Sequence, residues 1–324
     1  MSYPNREVKE VVQLEKQLCK SSGKHGFCFL LIVLAAISIC GCTKSTQDIG
    51  PKYSLVPKAK SPLNLNFAVH PLHNPTKMSQ AYQPLMDYLN EKTSGIALKL
   101  EASRDYANFE SKYEKSEPEF LLSNPWQTLQ AMNSGYHVIA MAGDPKDFKG
   151  IFVVRKDSMI SKPSDLKGQV VCYPSPTALA ACVMPQFFLH NHGINVTKDI
   201  KNNYVGSQES SIMNVYYKHA IAGATWPTPW RAFQKEHPEE AKSLSVIWET
   251  EELVNNAVMI RNNVSIGIQE EIKELLYGLH QSDRGRAILL RMEISKFLPA
   301  SNKDYDVIRT YIENFEKLVR KVKE

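Results

Sequence analysis

The chain has 324 residues, 43% apolar and 23% charged, with 39 basic and 34 acidic side chains and a formal charge of +5. These proportions describe a soluble globular protein. The Lys and Arg residues are scattered and form no dense block, which argues against a nucleic-acid-binding face. The first 26 residues are polar, and Arg6, Lys9, Lys16, Lys20 and Lys24 outnumber Glu7, Glu10 and Glu15. An apolar run from Phe27 to Ile39 follows and ends in Ile39-Cys40-Gly41-Cys42. That run is too short for a span of about 20 residues and suits the core of an export signal.

The Ile39-Cys40-Gly41-Cys42 ending resembles a bacterial lipoprotein signal, in which cleavage precedes a lipid-bearing cysteine. The resemblance implies a signal peptide over 1–41, lipidation of Cys42 and a mature chain of 283 residues ending at Glu324. Residues 43–62 are polar with three prolines and read as a tether. Of the six cysteines, Cys19, Cys28 and Cys40 leave with the leader, and Cys172 and Cys182 remain besides Cys42. An oxidising compartment permits a disulfide between Cys172 and Cys182, while free buried thiols are the slightly favoured reading.

From residue 63 the pattern alternates. LNLNFAVHP reads as a strand, Ser79–Lys92 as a helix with Tyr82, Leu85, Met86 and Leu89 on one face, and IALKLEA as a strand. DYANFESKYEK starts a helix capped by Asp105. EFLLS is a strand, NPWQTLQAMNSGY a helix ending at Gly135, and HVIAMAG a strand. The order predicts an α/β layer with parallel strands. A second unit opens near Gly150. GIFVVRKDS is a strand, PSDLKGQVVCYPS a short helix then a buried strand, and LAACVMPQFFLHNHG a helix containing Pro185 and closed by Gly193. NNYVG, AIAGAT, SLSVIWET and AVMIRNN read as further strands, ESSIMNVYYKHA as a helix, and the last quarter as helical. A chain that crosses to a second domain near 151–156 and returns near 247–260 would place its ligand at strand C-termini.

AVHPLHNPTKMSQAYQPLMDYLNEKTSGIALKLEASRDYANF, GIFVVRKDSMISKPSDLKGQVVCYPSPT, YVGSQES, SVIWET and FLPASNKDYDVIR occur in an order that resembles phosphonate/phosphite-type periplasmic substrate-binding proteins of ABC importers. The resemblance covers about residues 63–310. It implies a two-lobed type II periplasmic binding protein-like α/β fold with two crossing hinge strands. Lobe one would be 63–155 plus 251–324, and lobe two 156–250. The implied function is capture of a small oxyanion for an ABC permease of the cytoplasmic membrane by a lipid-anchored monomer of the bacterial cell envelope, on its periplasmic or extracytoplasmic face. A sensor feeding a membrane signalling partner is the alternative, and an enzyme on the same fold the less favoured one.

The implied ligand-binding residues are Tyr106, Ser123, Ser175, Thr177, Ser207, Gln208 and Asn256. Tyr106 aligns with an anion-contacting tyrosine, and Gln208 stands where the family has a ligand-contacting histidine. Ser175 and Thr177 lie at a strand-to-helix junction that resembles the family's Ser/Thr-rich loop; they also fit a helix cap. Ser123 replaces a tyrosine. Asn256, and the stretch from Thr225 to Trp230, fall where aminoalkylphosphonate binders hold carboxylates, so an ammonium-bearing ligand is disfavoured. Trp226 and Trp230 fit a cleft wall or a lobe-two core. His70, His73, His190 and His192 read as loop or surface histidines, because no third or fourth metal ligand accompanies them. No metal or cofactor is expected. No acid–base pair, nucleophile with a base, phosphate loop or dinucleotide fingerprint can be assembled.

Overall fold

The structure is a computed structural model that describes residues 61–323. The signal peptide over 1–41, the lipidation site Cys42 and nearly all of the tether therefore lie outside the described residues. Among the described residues no helix is long and apolar enough to cross a membrane.

The first sheet has six strands: β1 (Leu63–Val69), β2 (Ile96–Glu101), β3 (Phe120–Ser123), β4 (Tyr136–Ala142), β10 (Ala257–Arg261) and β11 (Phe297–Leu298), in the order β11-β4-β10-β3-β1-β2. The second has five: β5 (Ile151–Arg155), β6 (Val170–Tyr173), β7 (Lys201–Tyr204), β8 (Ala222–Thr225) and β9 (Leu244–Glu249), in the order β7-β6-β8-β5-β9. β5 belongs to the second sheet, so the change of sheet falls before Ile151, earlier than the boundary at 155 read from the sequence.

The expectation of parallel strands holds for β1, β2 and β3 and for β6, β7 and β8. It fails at β5 in the second sheet and, in the first, at β10 and at the short edge strand β11, which runs antiparallel to β4. β10 lies antiparallel between β3 and β4, and β5 lies antiparallel between β8 and β9. Both strands follow directly after the chain changes sheet, and each carries a register slip, at Val258/Met259 and Phe152/Val153. A bulge of this kind bends a strand locally, which suits a strand entering a sheet from outside. The two crossing segments hold each other: Leu253 N–H donates to Phe148 O at 3.0 Å, Thr250 N–H to Gly150 O at 2.9 Å, and Asn255 Nδ2 to Asp144 O at 2.9 Å.

Helices cover both sheets. α1 (Pro75–Lys92) begins four residues earlier than the apolar spacing suggested, because Asn74 accepts from Lys77 N–H and Pro75 suits the first helical turn. It buries Met78, Tyr82, Leu85, Met86 and Leu89. α2 (Tyr106–Glu114) is capped by Asp105, and α3 (Pro125–Asn133) by a reciprocal Asn124–Gln127 capping box. The run after β6 opens as a π-helical turn, Leu179–Val183, and continues as α4 (Met184–Asn191). Pro185 cannot donate a ladder bond, and the wider turn before it absorbs the mismatch. α5 (Gln208–Tyr216), capped by Ser207, packs on β8 where Gly223 has no side chain; a Cβ there would lie 2.4 Å from Ser211 O. α6 (Pro227–Glu236), α7 (Pro238–Lys242), α8 (Ile266–Gly278), α9 (Asp283–Arg291) and α10 (Asp306–Leu318) complete the chain. Cys172 and Cys182 are both buried and free, which decides the open question of a disulfide.

Candidate functional site

The ends of five strands meet at one place. β1 leads to His70, β3 to Asn124, β6 to the Ala178–Ala181 turn, β8 to Trp226, and β10 begins just after Asn256. These residues, with Tyr106, Phe148 and Gln208, line a cavity between the two sheets. It lies at the C-terminal ends of the parallel strands, where α/β sheets place ligands. Its volume is about 10 Å³, the room one water needs. A larger guest therefore enters only if the lobes part.

Tyr106 and Gln208 open α2 and α5, Asn124 and Trp226 are the residues before α3 and α6, and Ala178 precedes the turn that leads into α4. Five helical segments thus aim their first turns at one cavity. The first amides of a helix lack partners within it and carry the positive end of its dipole. None of the lining side chains supplies a full charge at neutral pH. His70 is buried, and burial pushes its imidazole down to about 4, against the raising effect of its bond to Leu122 O. The cavity is positive by its backbone and neutral by its side chains, a combination that favours a small anion.

Of the seven residues expected to bind ligand, Tyr106, Gln208 and Asn256 line this cavity. Gln208 Nε2 donates to Tyr106 Oη at 3.2 Å, joining the lobes, and Thr225 Oγ1 donates to Gln208 Oε1 at 2.8 Å, fixing the amide. The phenol keeps its own proton for a guest, and burial pushes its pKa above the ordinary value. Asn256 Oδ1 is buried without a partner among the described residues.

The other four stand behind the lining. Ser175 Oγ and Thr177 Oγ1 are 3.1 Å apart, and Thr177 Oγ1 donates to Glu110 Oε1 at 2.6 Å across the lobes. Asn124 Nδ2 donates to Thr177 O at 3.3 Å. Ser123 is fully buried under the site against Thr128 Oγ1, at 2.9 Å, and Met259 Sδ. Ser207 caps α5 through Ser210 N–H and donates to Ser210 Oγ. Trp226 is cavity wall, while Trp230 stacks on Phe233 in the second lobe, so the two tryptophans divide between the readings left open.

Two residues were missed from sequence. Glu110 is almost fully buried, one helical turn beyond Tyr106 on the same face, and its i+4 spacing was the available signal. It accepts from Thr177 and, at 3.4 Å, from Gln127 Nε2, with Lys323 Nζ 3.6 Å from its other oxygen. Burial raises its carboxyl pKa despite these partners. His70, read as a loop or surface histidine, is buried against Tyr106 and Phe109 instead. The extended run before it gave no warning, because strand β1 ends one residue earlier.

Outside the cavity the lobes meet through ion pairs and a hydrogen bond to the backbone. Lys77 bridges Glu209 at 2.7 Å and Glu236 at 2.6 Å, Lys235 pairs with Glu293 at 2.5 Å, and Arg320 Nη2 donates to Pro176 O at 3.0 Å.

Two α/β lobes, two crossings and a cavity at the strand ends define a two-lobed binding protein of the periplasmic kind. Residues 67–305 match the family described as ABC transporter, phosphonate, periplasmic substrate-binding protein, and the chain belongs to that family. It is 27% identical over 214 residues to the probable ABC transporter phosphite binding protein PhnD1 of Prochlorococcus marinus strain MIT 9301, covering 62% of this chain and 69% of that protein. The structure of that PhnD1 with methylphosphonate superposes with a TM-score of 0.72 at 21% identity, over 79% of this chain and 100% of that one. A binding-protein component of an ABC phosphonate transporter from Pseudomonas aeruginosa superposes with a TM-score of 0.74 at 15% identity, over 80% and 88%. These relatives are substrate-binding proteins of ABC transporters and not enzymes.

Proposed function

We propose that this protein is a lipid-anchored binding component that captures a small phosphonate- or phosphite-like oxyanion and delivers it to an ABC permease. The observation that carries the reading is the convergence of five helix starts on a cavity whose side chains carry no charge, with Tyr106, Asn124, Gln208 and Asn256 as polar groups among apolar ones. A tetrahedral anion takes many hydrogen bonds there without needing a counter-ion. Tyr106, Gln208 and Asn256 contact the ligand. Ser175 and Thr177 shape the loop that closes over it, and Ser123 and Ser207 support the strand and helix beneath. The missing carboxylates at Asn256 and in the Thr225–Trp230 stretch leave an ammonium group without a partner, so aminoalkylphosphonates bind weakly. Cys42 carries the lipid that keeps the two lobes beside the permease.

A thermal-shift screen of the full chain against phosphite, methylphosphonate, phosphate, 2-aminoethylphosphonate and acetate tests the reading. A true ligand at a hundredfold excess over its Kd adds about 2.7 kcal/mol, and methylphosphonate or phosphite is expected to raise Tm. A response to acetate alone, or to 2-aminoethylphosphonate above the others, would overturn it.

A further inference from the structure

The lining groups of the cavity differ in what they can exchange with a guest. Tyr106 Oη accepts from Gln208, which leaves its proton to donate. Asn124 uses its Oδ1 on Gln127 N–H and its Nδ2 on Thr177 O, with one amide hydrogen left over. Asn256 has an unpartnered amide oxygen, and its side chain can turn to offer either end. His70 has no such freedom. Its Nδ1 faces Leu122 O at 2.9 Å, and a carbonyl only accepts, so Nδ1 carries the proton. Nε2 is then a bare lone pair at the other edge of a ring that lines the cavity, with no partner among the described residues.

A lone pair in this position repels an ionised oxygen and is satisfied only by a donor. Protonating Nε2 would turn it into a donor, but the surroundings oppose that. Tyr106 and Phe109 pack edge-on against the ring and supply no negative charge. His73, the other titratable neighbour, also disfavours the cation. The carboxylates Glu209, Glu236 and Glu293 act on His73 rather than on His70. The imidazole stays neutral down to about pH 4.

We propose that His70 Nε2 accepts a hydrogen bond from a hydroxyl of the bound anion, so that the protein selects the monoprotonated form of a phosphonate-type ligand over its dianion and over sulfonates. The inference rests on the oxyanion reading above and names the protonation state that the site takes. A methylphosphonate monoanion has one P–OH to give to His70, and ionised oxygens for Tyr106, Gln208 and the helix amides. Methanesulfonate has the same shape and charge but no hydroxyl, so it would leave Nε2 buried against an ionised oxygen.

Titration calorimetry of the full chain with methylphosphonate and methanesulfonate, from pH 5 to 9, tests this. Wild type is expected to prefer methylphosphonate by on the order of 100-fold. Its methylphosphonate affinity should hold at low pH and then fall about tenfold per unit above the ligand's second ionisation, following the monoanion fraction. His70→Phe removes the acceptor and keeps a flat ring; it should lose methylphosphonate affinity, leave methanesulfonate unchanged or tighter, and close the gap. Equal binding of the two ligands by wild type, or affinity that rises with the dianion, would overturn the role of His70 while leaving the oxyanion reading in place. Those two outcomes need no variant. Binding of neither ligand would overturn the oxyanion reading and this inference together.

Discussion

Replacing Thr177 with valine removes one hydroxyl and keeps the shape of the side chain. In the structure that hydroxyl spans the lobes, donating to the buried Glu110 carboxyl at 2.6 Å and lying 3.1 Å from Ser175 Oγ. The substitution leaves Glu110 Oε1 with only the longer bond from Gln127. Losing one partner of a buried pair costs about 1–2 kcal/mol here, because the remaining donor covers part of the loss. The bond forms only when the lobes meet, so its loss disfavours closure and weakens ligand binding by about 5- to 30-fold. Titration calorimetry with methylphosphonate reads the change directly, and Thr177→Ser, which keeps a hydroxyl, should recover most of the affinity. Unchanged affinity in Thr177→Val, or equal loss in Thr177→Ser, would refute the idea that this contact reports closure.

Glu110 sets a pH dependence of its own. Burial raises its carboxyl above the ordinary 4.5, so between that value and the raised one the folded chain holds a proton that the unfolded chain releases. The stability it contributes is complete below pH 4.5 and is lost as pH rises through the raised pKa. Glu110→Gln should therefore gain stability over wild type as pH rises from 4 to 8, and a flat difference in urea midpoints would contradict this. Gly223→Ala forces a methyl to within 2.4 Å of Ser211 O and should destabilise by about 2 kcal/mol, seen as a lower urea midpoint with an unchanged slope. Burial raises both Cys172 and Cys182, the latter to about 12, so neither should alkylate in the native state while both do in urea, as read by peptide mapping. Cys42→Ala should move the protein from the membrane fraction to the soluble fraction; retention on the membrane would remove the lipid anchor from the proposal.

Local order was readable because it depends on local chemistry. The Asp105 cap, the Asn124-Pro125 start and the apolar stripe of α1 are patterns within a single turn or two. The placement of β10 between β3 and β4 was not, because Val258 pairs with Leu122 and Ala140 across more than a hundred residues. The same holds within the cavity. Tyr106, Gln208 and Asn256 were visible through family resemblance and fall on the lining. Ser175 and Thr177 carry the residue types of an anion loop, yet the buried carboxylate that accepts the Thr177 hydrogen bond comes from the other lobe. The importance of His70 rests on which ring nitrogen meets Leu122 O, a tertiary contact with no trace in the residues beside it.

The cavity between Tyr106 and Gln208 is proposed as the place where a small oxyanion binds. Titration calorimetry of methylphosphonate and phosphite into wild type and Gln208→Leu tests it most directly. Wild type should bind at least one of them saturably and one-to-one, with affinity weakened on the order of 100-fold in the variant, which loses the amide and leaves the Tyr106 phenol and the Thr225 hydroxyl unpaired. Equal binding by both proteins, or no binding by wild type, would contradict it.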